Sequence, residues 1–216
     1  MPRKKRVWFP GATYHVMSRG NRRNAIFKNS SDYLEFLEYL KLVKDLYPFE
    51  VHSLCLMTNH FHMAIETADI PISKIMHRLL LSYSANYNRK YLLTGHLFEN
   101  RYTAKLIEDE RYLLEVSRYI HLNPVKARMV KEPLEYEYSS YGFYVSDSEK
   151  AVRYKPENMI SELINTDRIL GCFHNNHREQ YRMFVEGKIS HEEAELLIQK
   201  DMKEDDMWLP WKAETG

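Results

Sequence analysis

Two short β-forming runs decide the fold: Val51-His52-Ser53-Leu54-Cys55-Leu56-Met57 and Phe61-His62-Met63-Ala64-Ile65, with Thr58-Asn59 between them. Two β-prone runs joined by so few polar residues are typical of a tight hairpin. We therefore predict two neighbouring antiparallel strands over this part of the chain.

The second strand of the hairpin separates apolar from polar side chains, because successive residues of a strand point to opposite faces of a sheet. Phe61, Met63 and Ile65 share one face. His60 and His62 share the other face, together with Glu66. The alternation thus places two imidazoles side by side, away from the core.

The elements on either side of the hairpin complete a β-α-β-β-α-β order. Asp32 and Glu35 are spaced as a capping pair at the start of the first helix, which stops before Pro48. The other predicted elements are a strand at 12–18, a helix over 72–91, a strand over 98–107, and a helix over 109–123 that is bounded by Pro124.

This order predicts an α+β domain of the ferredoxin-like, split βαβ type, an antiparallel sheet with two helices on one face. The helix over 109–123 is then free to cover the open face, above the two histidines. Beyond residue 145 the pattern becomes helical, and Ser190-His191-Glu192-Glu193 resembles a capping box. We divide the chain into a domain at 1–145 and an acidic helical extension at 146–216.

The composition belongs to a globular protein: of 216 residues, 44% are hydrophobic and 28% are charged. These values exclude collagen-like, low-complexity and wholly disordered chains. We find neither an apolar run of about 18 residues nor a secretion signal. Cys55 and Cys172 could form at most one disulfide, so we expect reduced thiols and a cytoplasmic location.

The net charge of +1 conceals an uneven distribution along the chain. Residues 1–130 hold 20 Lys and Arg against 12 Asp and Glu, whereas residues 131–216 hold 11 against 18. A basic half is what a phosphate-binding surface requires, although it could also merely balance an acidic tail. The basic loop at 19–24 is either part of such a surface or a solvated run of charges.

Two pairs of residues are candidates for chemistry. His60 and His62 on one strand face can hold a single divalent cation, although ten histidines in this chain produce roughly half an H-x-H pair by chance. Tyr119 and Asn123 are four residues apart, on one face of the third long helix, and could place a phenol next to an amide ligand. Taken alone, each pair is as compatible with packing or surface decoration as with a site.

Taken together, these motifs resemble the single-tyrosine HUH transposases, in particular the REP-associated tyrosine transposases. The resemblance covers about residues 7–145. The runs that carry it are Leu56-Met57-Thr58-Asn59-His60-Phe61-His62, Ser117-Arg118-Tyr119-Ile120-His121-Leu122-Asn123-Pro124-Val125-Lys126-Ala127, Gly11-Ala12-Thr13-Tyr14-His15-Val16, Gly95-His96-Leu97-Phe98-Glu99-Asn100-Arg101-Tyr102 and Tyr138-Ser139-Ser140-Tyr141.

The resemblance implies an enzyme that cleaves and rejoins single-stranded or hairpin DNA. It implies that His60 and His62 are ligands of Mg²⁺ or Mn²⁺, that Asn123 occupies the position of the third, amide ligand, and that Tyr119 is the nucleophile that forms a 5′-phosphotyrosine. Two features differ from the family pattern, because Thr58 stands where Pro is usual and Asn123 is shorter than the Gln of many relatives.

Several alternatives remain open from the sequence. The residues expected to guide DNA to the site are Arg19, Arg22, Arg23 and Arg101. A non-catalytic module that binds DNA or RNA hairpins would keep the same fold. A structural zinc protein could use His52, Cys55, His60 and His62, although strand parity places His52 and Cys55 on opposite sides. Both a monomer and a homodimer are compatible with the sequence.

Overall fold

A computed structural model describes residues 7–146, 155–173 and 176–187 of the protein. The predicted basic arm at 2–6 and the capping box at 190–193 lie outside these residues. The long elements are β1 Thr13–Arg19, α1 Ser30–Leu46, β2 Phe49–Met57, β3 His60–Thr67, α2 Ile72–Tyr91, β4 Thr103–Ile107 and α3 Glu110–Lys126.

Four antiparallel strands form one sheet in the order β2-β3-β1-β4. This is the order of a split βαβ sheet, so the predicted ferredoxin-like arrangement is present. Helices α1 and α2 cover one face, which we call the scaffold face. Its buried core includes Val16, Phe36, Phe61, Met63 and Tyr83.

Helix α3 covers the opposite face, which we call the histidine face. Leu113, Val116 and Ile120 of α3 pack against Cys55 and Ala64 of the sheet in a second buried cluster. The prediction that the third long helix lies over the open face is therefore confirmed.

Helices beyond residue 140 extend this arrangement: α4 Tyr141–Val145, α5 Lys155–Leu163, α6 Asp167–Leu170 and α7 His177–Glu186. The described residues through Val185 belong to one compact unit. Ile160 and Leu163 of α5 join the core of the scaffold face, whereas Tyr181 of α7 is buried behind α3. The proposed boundary at residue 145 stays a prediction. None of the described helices combines the length and apolar character needed to cross a bilayer.

Helix α1 begins differently from the sequence prediction. Its N-cap is Asn29, whose side-chain oxygen accepts a hydrogen bond from the backbone N–H of Asp32 at 3.3 Å. Asp32 and Glu35 instead bind Nζ of Lys90 on α2, at 2.6 Å and 2.7 Å. The predicted capping pair is wrong because the N-cap lies three residues earlier, at Asn29, so that Asp32 is the third helical residue and accepts from the Lys28 N–H at 2.7 Å.

Two other boundaries differ. The fourth strand begins at Thr103, and Phe98 makes only an isolated bridge with Gly20. Helix α3 continues through Pro124 to Lys126, and the N–H of Ala127 donates to the Asn123 carbonyl at 2.9 Å. Proline lacks the N–H that would donate to the carbonyl of residue 120, and the helix extends only two residues beyond it.

Candidate active site

Strand register fixes the positions of His60 and His62 on the histidine face. His60 lies opposite Arg19 of β1 and Met57 of β2, and His62 lies opposite Met17 and Cys55 in the same way. The two imidazole centroids are 5.1 Å apart and their planes are perpendicular. Both rings are buried, as expected for groups enclosed between a sheet and a helix.

The tautomer of His60 follows from its neighbour Asn59, which forms part of the hairpin turn. Nδ2 of Asn59 donates to the carbonyl oxygen of Arg23 at 3.1 Å, so its Oδ1 faces Nδ1 of His60 at 2.7 Å. Because an amide oxygen only accepts, Nδ1 of His60 carries the hydrogen. Nε2 of His60 therefore carries the lone pair that a metal ligand needs.

A third imidazole, not predicted from the sequence, lies beside His62. Nε2 of His15 on β1 is 3.0 Å from Nδ1 of His62, and the two rings stack with centroids 5.2 Å apart. Nε2 of His62 is buried and has no hydrogen-bond partner among the described residues. A buried polar atom without a partner is costly, and such an atom is what a metal ligand leaves when its metal is removed. The geometry of His62 thus fits a cation site.

Tyr119 of α3 closes the site from above. Its ring packs edge-on against His62 and His15, with centroids 5.4 Å and 5.8 Å away. Nζ of Lys126, two turns further along the helix, lies 4.8 Å from the centroid of the Tyr119 ring. The structure therefore brings the predicted nucleophile to the predicted histidine pair within one chain.

Asn123 lies one turn beyond Tyr119 and is largely buried. Its Nδ2 donates to the backbone carbonyl of Tyr119 at 2.8 Å. Burial raises the pKa of Tyr119, and the nearby Asn123 side chain acts in the opposite direction. The amide is thus next to the phenol, as the spacing predicts.

Burial keeps the three imidazoles neutral at pH 7. It lowers the pKa of His60 to about 4, with a smaller contribution from the Arg19 charge, and it lowers the pKa of His15 to about 4, assisted by Lys105. The pKa of His62 lies well below its ordinary value because of burial, then the neighbouring His60 and His15, and finally Lys126. Neutral imidazoles are the form that binds a metal.

The basic loop after β1 is anchored beside the hairpin turn. The N–H of Gly20 donates to the Asn59 carbonyl at 2.8 Å, and the N–H of Asn21 donates to the Leu97 carbonyl at 2.8 Å. A Cβ on Gly20 would lie 2.1 Å from the Asn24 carbonyl oxygen, so this position requires glycine. Three loops, 20–24, 58–59 and 97–101, therefore meet at one end of the sheet, where β1 ends and β3 begins.

The four predicted DNA-guiding arginines have different environments. Arg19 forms a salt bridge of 2.7 Å with Glu99, so part of its charge is already balanced. Arg22 and Arg23 are exposed, and both adopt left-handed backbone conformations, with φ of 53° and 60°. This conformation costs about 1–2 kcal/mol for a residue other than glycine. Arg101 is exposed in the segment before β4.

The four residues of the zinc alternative make separate contacts. Nε2 of His52 is 2.8 Å from a Glu66 carboxylate oxygen, and the Cys55 thiol lies 3.7 Å from the sulfur of Met57. A register shift between Val51 and Ser53 invalidates the parity argument, because it turns His52 toward the face that carries Glu66. Across the described ranges, no group of three or more His, Cys, Asp or Glu residues is arranged to hold a metal.

A buried chain of hydroxyl and imidazole groups lies behind α3. Oγ of Ser53 donates to Ser117 at 2.8 Å, and Tyr181 Oη lies 2.5 Å from Ser117 Oγ and 2.7 Å from Nδ1 of His121. Nε2 of His121 is 2.8 Å from Oγ of Ser140. These contacts join β2, α3 and α7. They could not be predicted from the sequence, because no local pattern links Tyr181 to α3.

The chain is similar in sequence to known transposases. A family model described as IS200-like transposase matches residues 9–123. A Haemophilus influenzae protein described as a REP-associated tyrosine transposase is 25% identical over 126 residues, which are 51% of this chain and 70% of that protein. These matches confirm the resemblance found in the sequence.

The solved structure of a REP-associated tyrosine transposase bound to a REP hairpin has a TM-score of 0.57 and 19% identity, covering 77% of this chain and 90% of the other. This match confirms the predicted fold class.

Proposed function

The chain belongs to the IS200-like transposase family, and we propose that it cleaves and rejoins single-stranded or hairpin DNA through a 5′-phosphotyrosine on Tyr119. The observation that carries this proposal is the meeting of Tyr119 with His62, at a centroid distance of 5.4 Å, where Nε2 of His62 is buried without a partner. A nucleophile and a candidate metal ligand thus share one enclosed site.

His60 and His62 would hold Mg²⁺ or Mn²⁺ through their Nε2 atoms, with Asn123 as the amide ligand. Bound there, the cation supplies positive charge that neutralises phosphate oxygens and stabilises the leaving oxygen. The hydrogen bond from His60 Nδ1 to Asn59 fixes the orientation of one ligand before any cation arrives.

Tyr119 would attack the phosphorus in line with the departing 3′ oxygen. The bond from Tyr119 Oη to phosphorus forms as the bond from phosphorus to the 3′ oxygen breaks, and the phenol proton ends on the released 3′-OH. Because burial raises the pKa of Tyr119, its ionisation requires nearby positive charge, and the ammonium of Lys126 lies next to the ring. Attack by a 3′-OH on the phosphotyrosine reverses the step and rejoins a strand without ATP.

The DNA would approach the end of the sheet where the loops 20–24, 58–59 and 97–101 meet. Arg22 and Arg23 are exposed at this end of the sheet, Arg101 lies in the neighbouring segment, and Arg19 pairs with His60 across the strands. Cationic side chains bind the backbone of single strands and of hairpins without reading sequence. The relative of known structure was solved with a REP hairpin, which supports a hairpin as the substrate of this chain.

A covalent-adduct assay with the full-length protein tests the proposal. Wild type, Tyr119→Phe and Tyr112→Phe are incubated with a pool of end-labelled hairpin oligonucleotides and Mn²⁺, then separated on denaturing gels. Tyr112 is the matched control because it lies on the same helix, two turns before Tyr119, with its ring centroid 5.0 Å from Nζ of Lys105. We expect an adduct in wild type and Tyr112→Phe, and none in Tyr119→Phe.

The linkage identifies the chemistry. Protease digestion of the adduct should leave a tyrosyl peptide on a 5′ phosphate and a free 3′-OH on the other fragment. An adduct that persists in Tyr119→Phe, or one with a 3′ linkage, contradicts the mechanism. Hairpin binding without any adduct in wild type would favour the alternative, a binding module that keeps the fold without the chemistry.

A further inference from the structure

The contact between Nδ1 of His62 and Nε2 of His15 has no role in the reaction proposed above, although a metal-binding histidine requires a contact of this kind. A histidine that binds metal through Nε2 must carry its hydrogen on Nδ1, and that hydrogen is ordinarily donated to an acceptor that fixes the ring. For His60 the acceptor is the Asn59 amide oxygen at 2.7 Å. For His62 the atom in this position is Nε2 of His15, at 3.0 Å.

We propose that His15 is a positioning residue: by accepting a hydrogen bond from Nδ1 of His62, it holds the Nε2 lone pair of His62 available for the cation. This inference rests on the proposed function, because it assigns a role toward the same site. It requires that His15 carry its own hydrogen on Nδ1, since its Nε2 must accept.

The sheet register explains why His15 can reach His62. His15 lies directly opposite Ala64, whose short side chain leaves room for the imidazole to lean toward the diagonal neighbour His62. The two rings stack at an interplanar angle of 28°, and the edge of Tyr119 packs against His15 at 5.8 Å between centroids. His15 therefore contacts both the candidate ligand and the candidate nucleophile, and its position is fixed by packing as well as by hydrogen bonding.

The site therefore uses two different acceptors for two adjacent ligands. The Asn59 amide oxygen can only accept, so it determines the tautomer of His60 alone. An imidazole can accept or donate, so the pair formed by His15 and His62 must choose its tautomers together. Replacement of His15 should consequently disturb His62 and leave His60 unchanged, which provides an internal reference.

The test measures tautomers in the metal-free, full-length protein by long-range ¹H–¹⁵N correlation NMR, and Mn²⁺ affinity by titration calorimetry. The variants are His15→Phe, which keeps a ring without an acceptor, and His15→Gln, which restores an acceptor. The control is His77→Phe, at an exposed position on α2.

In wild type and in His77→Phe, we expect the hydrogen of His62 on Nδ1. In His15→Phe, His62 should populate both tautomers, His60 should not change, and the Kd for Mn²⁺ should rise about ten- to a hundred-fold. His15→Gln should recover most of the affinity.

Two results would overturn the proposal. One is a hydrogen on Nε2 of His62 in the wild-type spectrum, a result that does not depend on how any variant folds. The other is an unchanged His62 tautomer together with unchanged Mn²⁺ affinity in His15→Phe. If wild type binds no Mn²⁺ at all, the proposed metal site fails, whereas the tautomer spectra still decide whether His15 positions His62.

Discussion

The two faces of the sheet differ in their surroundings, although alternate residues of the same strands form both faces. On the scaffold face, the hydroxyls of two buried tyrosines of α2 have close partners: Tyr83 Oη donates to the Ile26 carbonyl at 2.5 Å and Tyr87 Oη to the Ala25 carbonyl at 2.8 Å. On the histidine face, Nε2 of His62 is buried without a partner in the described part of the chain. Residues of the structural core and candidate site residues therefore alternate along β3.

We expect the largest changes from two separate substitutions of adjacent β3 residues that point to opposite faces, His60→Ala and Phe61→Ala. Phe61 is fully buried, so its truncation should lower the free energy of unfolding by about 3–5 kcal/mol. His60→Ala should abolish Mn²⁺-dependent cleavage while lowering the free energy of unfolding by only about 1 kcal/mol, for its bond to Asn59. Urea denaturation and the adduct assay, applied to both variants, measure the two effects.

Two outcomes would contradict the distinction between the two faces. Retained cleavage in His60→Ala would remove this residue from the site. A loss of stability in His60→Ala as large as that in Phe61→Ala would mean that the histidine face is part of the structural core.

A smaller effect concerns the ion pair between α1 and α2. Asp32 accepts hydrogen bonds from Lys90 Nζ and the Lys28 N–H, and its pKa lies below the ordinary value of 3.8 because these bonds outweigh the opposing effect of its burial. A depressed pKa in the folded state stabilises the protein above the unfolded-state pKa, and this contribution is lost as the pH falls through the folded-state pKa. Asp32→Asn should therefore lower the free energy of unfolding by about 2–3 kcal/mol at pH 7.

The pH dependence provides the check. The difference between wild type and Asp32→Asn should stay constant from pH 7 to about pH 5 and shrink below pH 4. Asp69→Asn, at an exposed position, is the control and should change the free energy of unfolding by less than about 0.5 kcal/mol at pH 7. A constant difference down to pH 3 would show that the Asp32 charge does not stabilise the scaffold face.

The smallest effect on stability belongs to the exposed loop. In the double variant Arg22→Gly, Arg23→Gly, relief of the left-handed backbone and the greater freedom of the unfolded chain oppose each other, so stability should change by less than about 1 kcal/mol. Affinity for hairpin DNA should fall. The magnitude of the slope of log affinity against log salt concentration should decrease by about 1.4–1.8 for two lost phosphate contacts. Fluorescence anisotropy at several salt concentrations measures both. An unchanged slope would place the DNA elsewhere.

Sequence patterns were sufficient where the information is local. The alternation in β3 predicted its two faces, and the order of elements predicted the sheet and the position of α3 above it. That topology brought Tyr119 to His62, although neither spacing alone had greater weight than chance.

The remaining features depend on register and on distant side chains. His15 reaches His62 diagonally across two strands, which requires the pairing of His15 with Ala64 to be known. The orientation of His52 depends on a β-bulge, and the ion-pair partner of Asp32 is Lys90, 58 residues further along the chain. Strand parity and capping rules treat such residues as independent of the rest of the chain.

The contacts between α3 and α7 also have a consequence for the order in which the molecule is completed. Ser117 and His121 meet Tyr181 across 64 and 60 residues of sequence, and all three are buried. On a ribosome, the helix that carries Tyr119 is synthesised several seconds before Tyr181, at roughly 5–20 residues per second. Until then, the polar groups behind the helix lack one of their final partners. The contacts between α3 and α7 can therefore form only after Tyr181 has been synthesised, well after the sheet beneath α3.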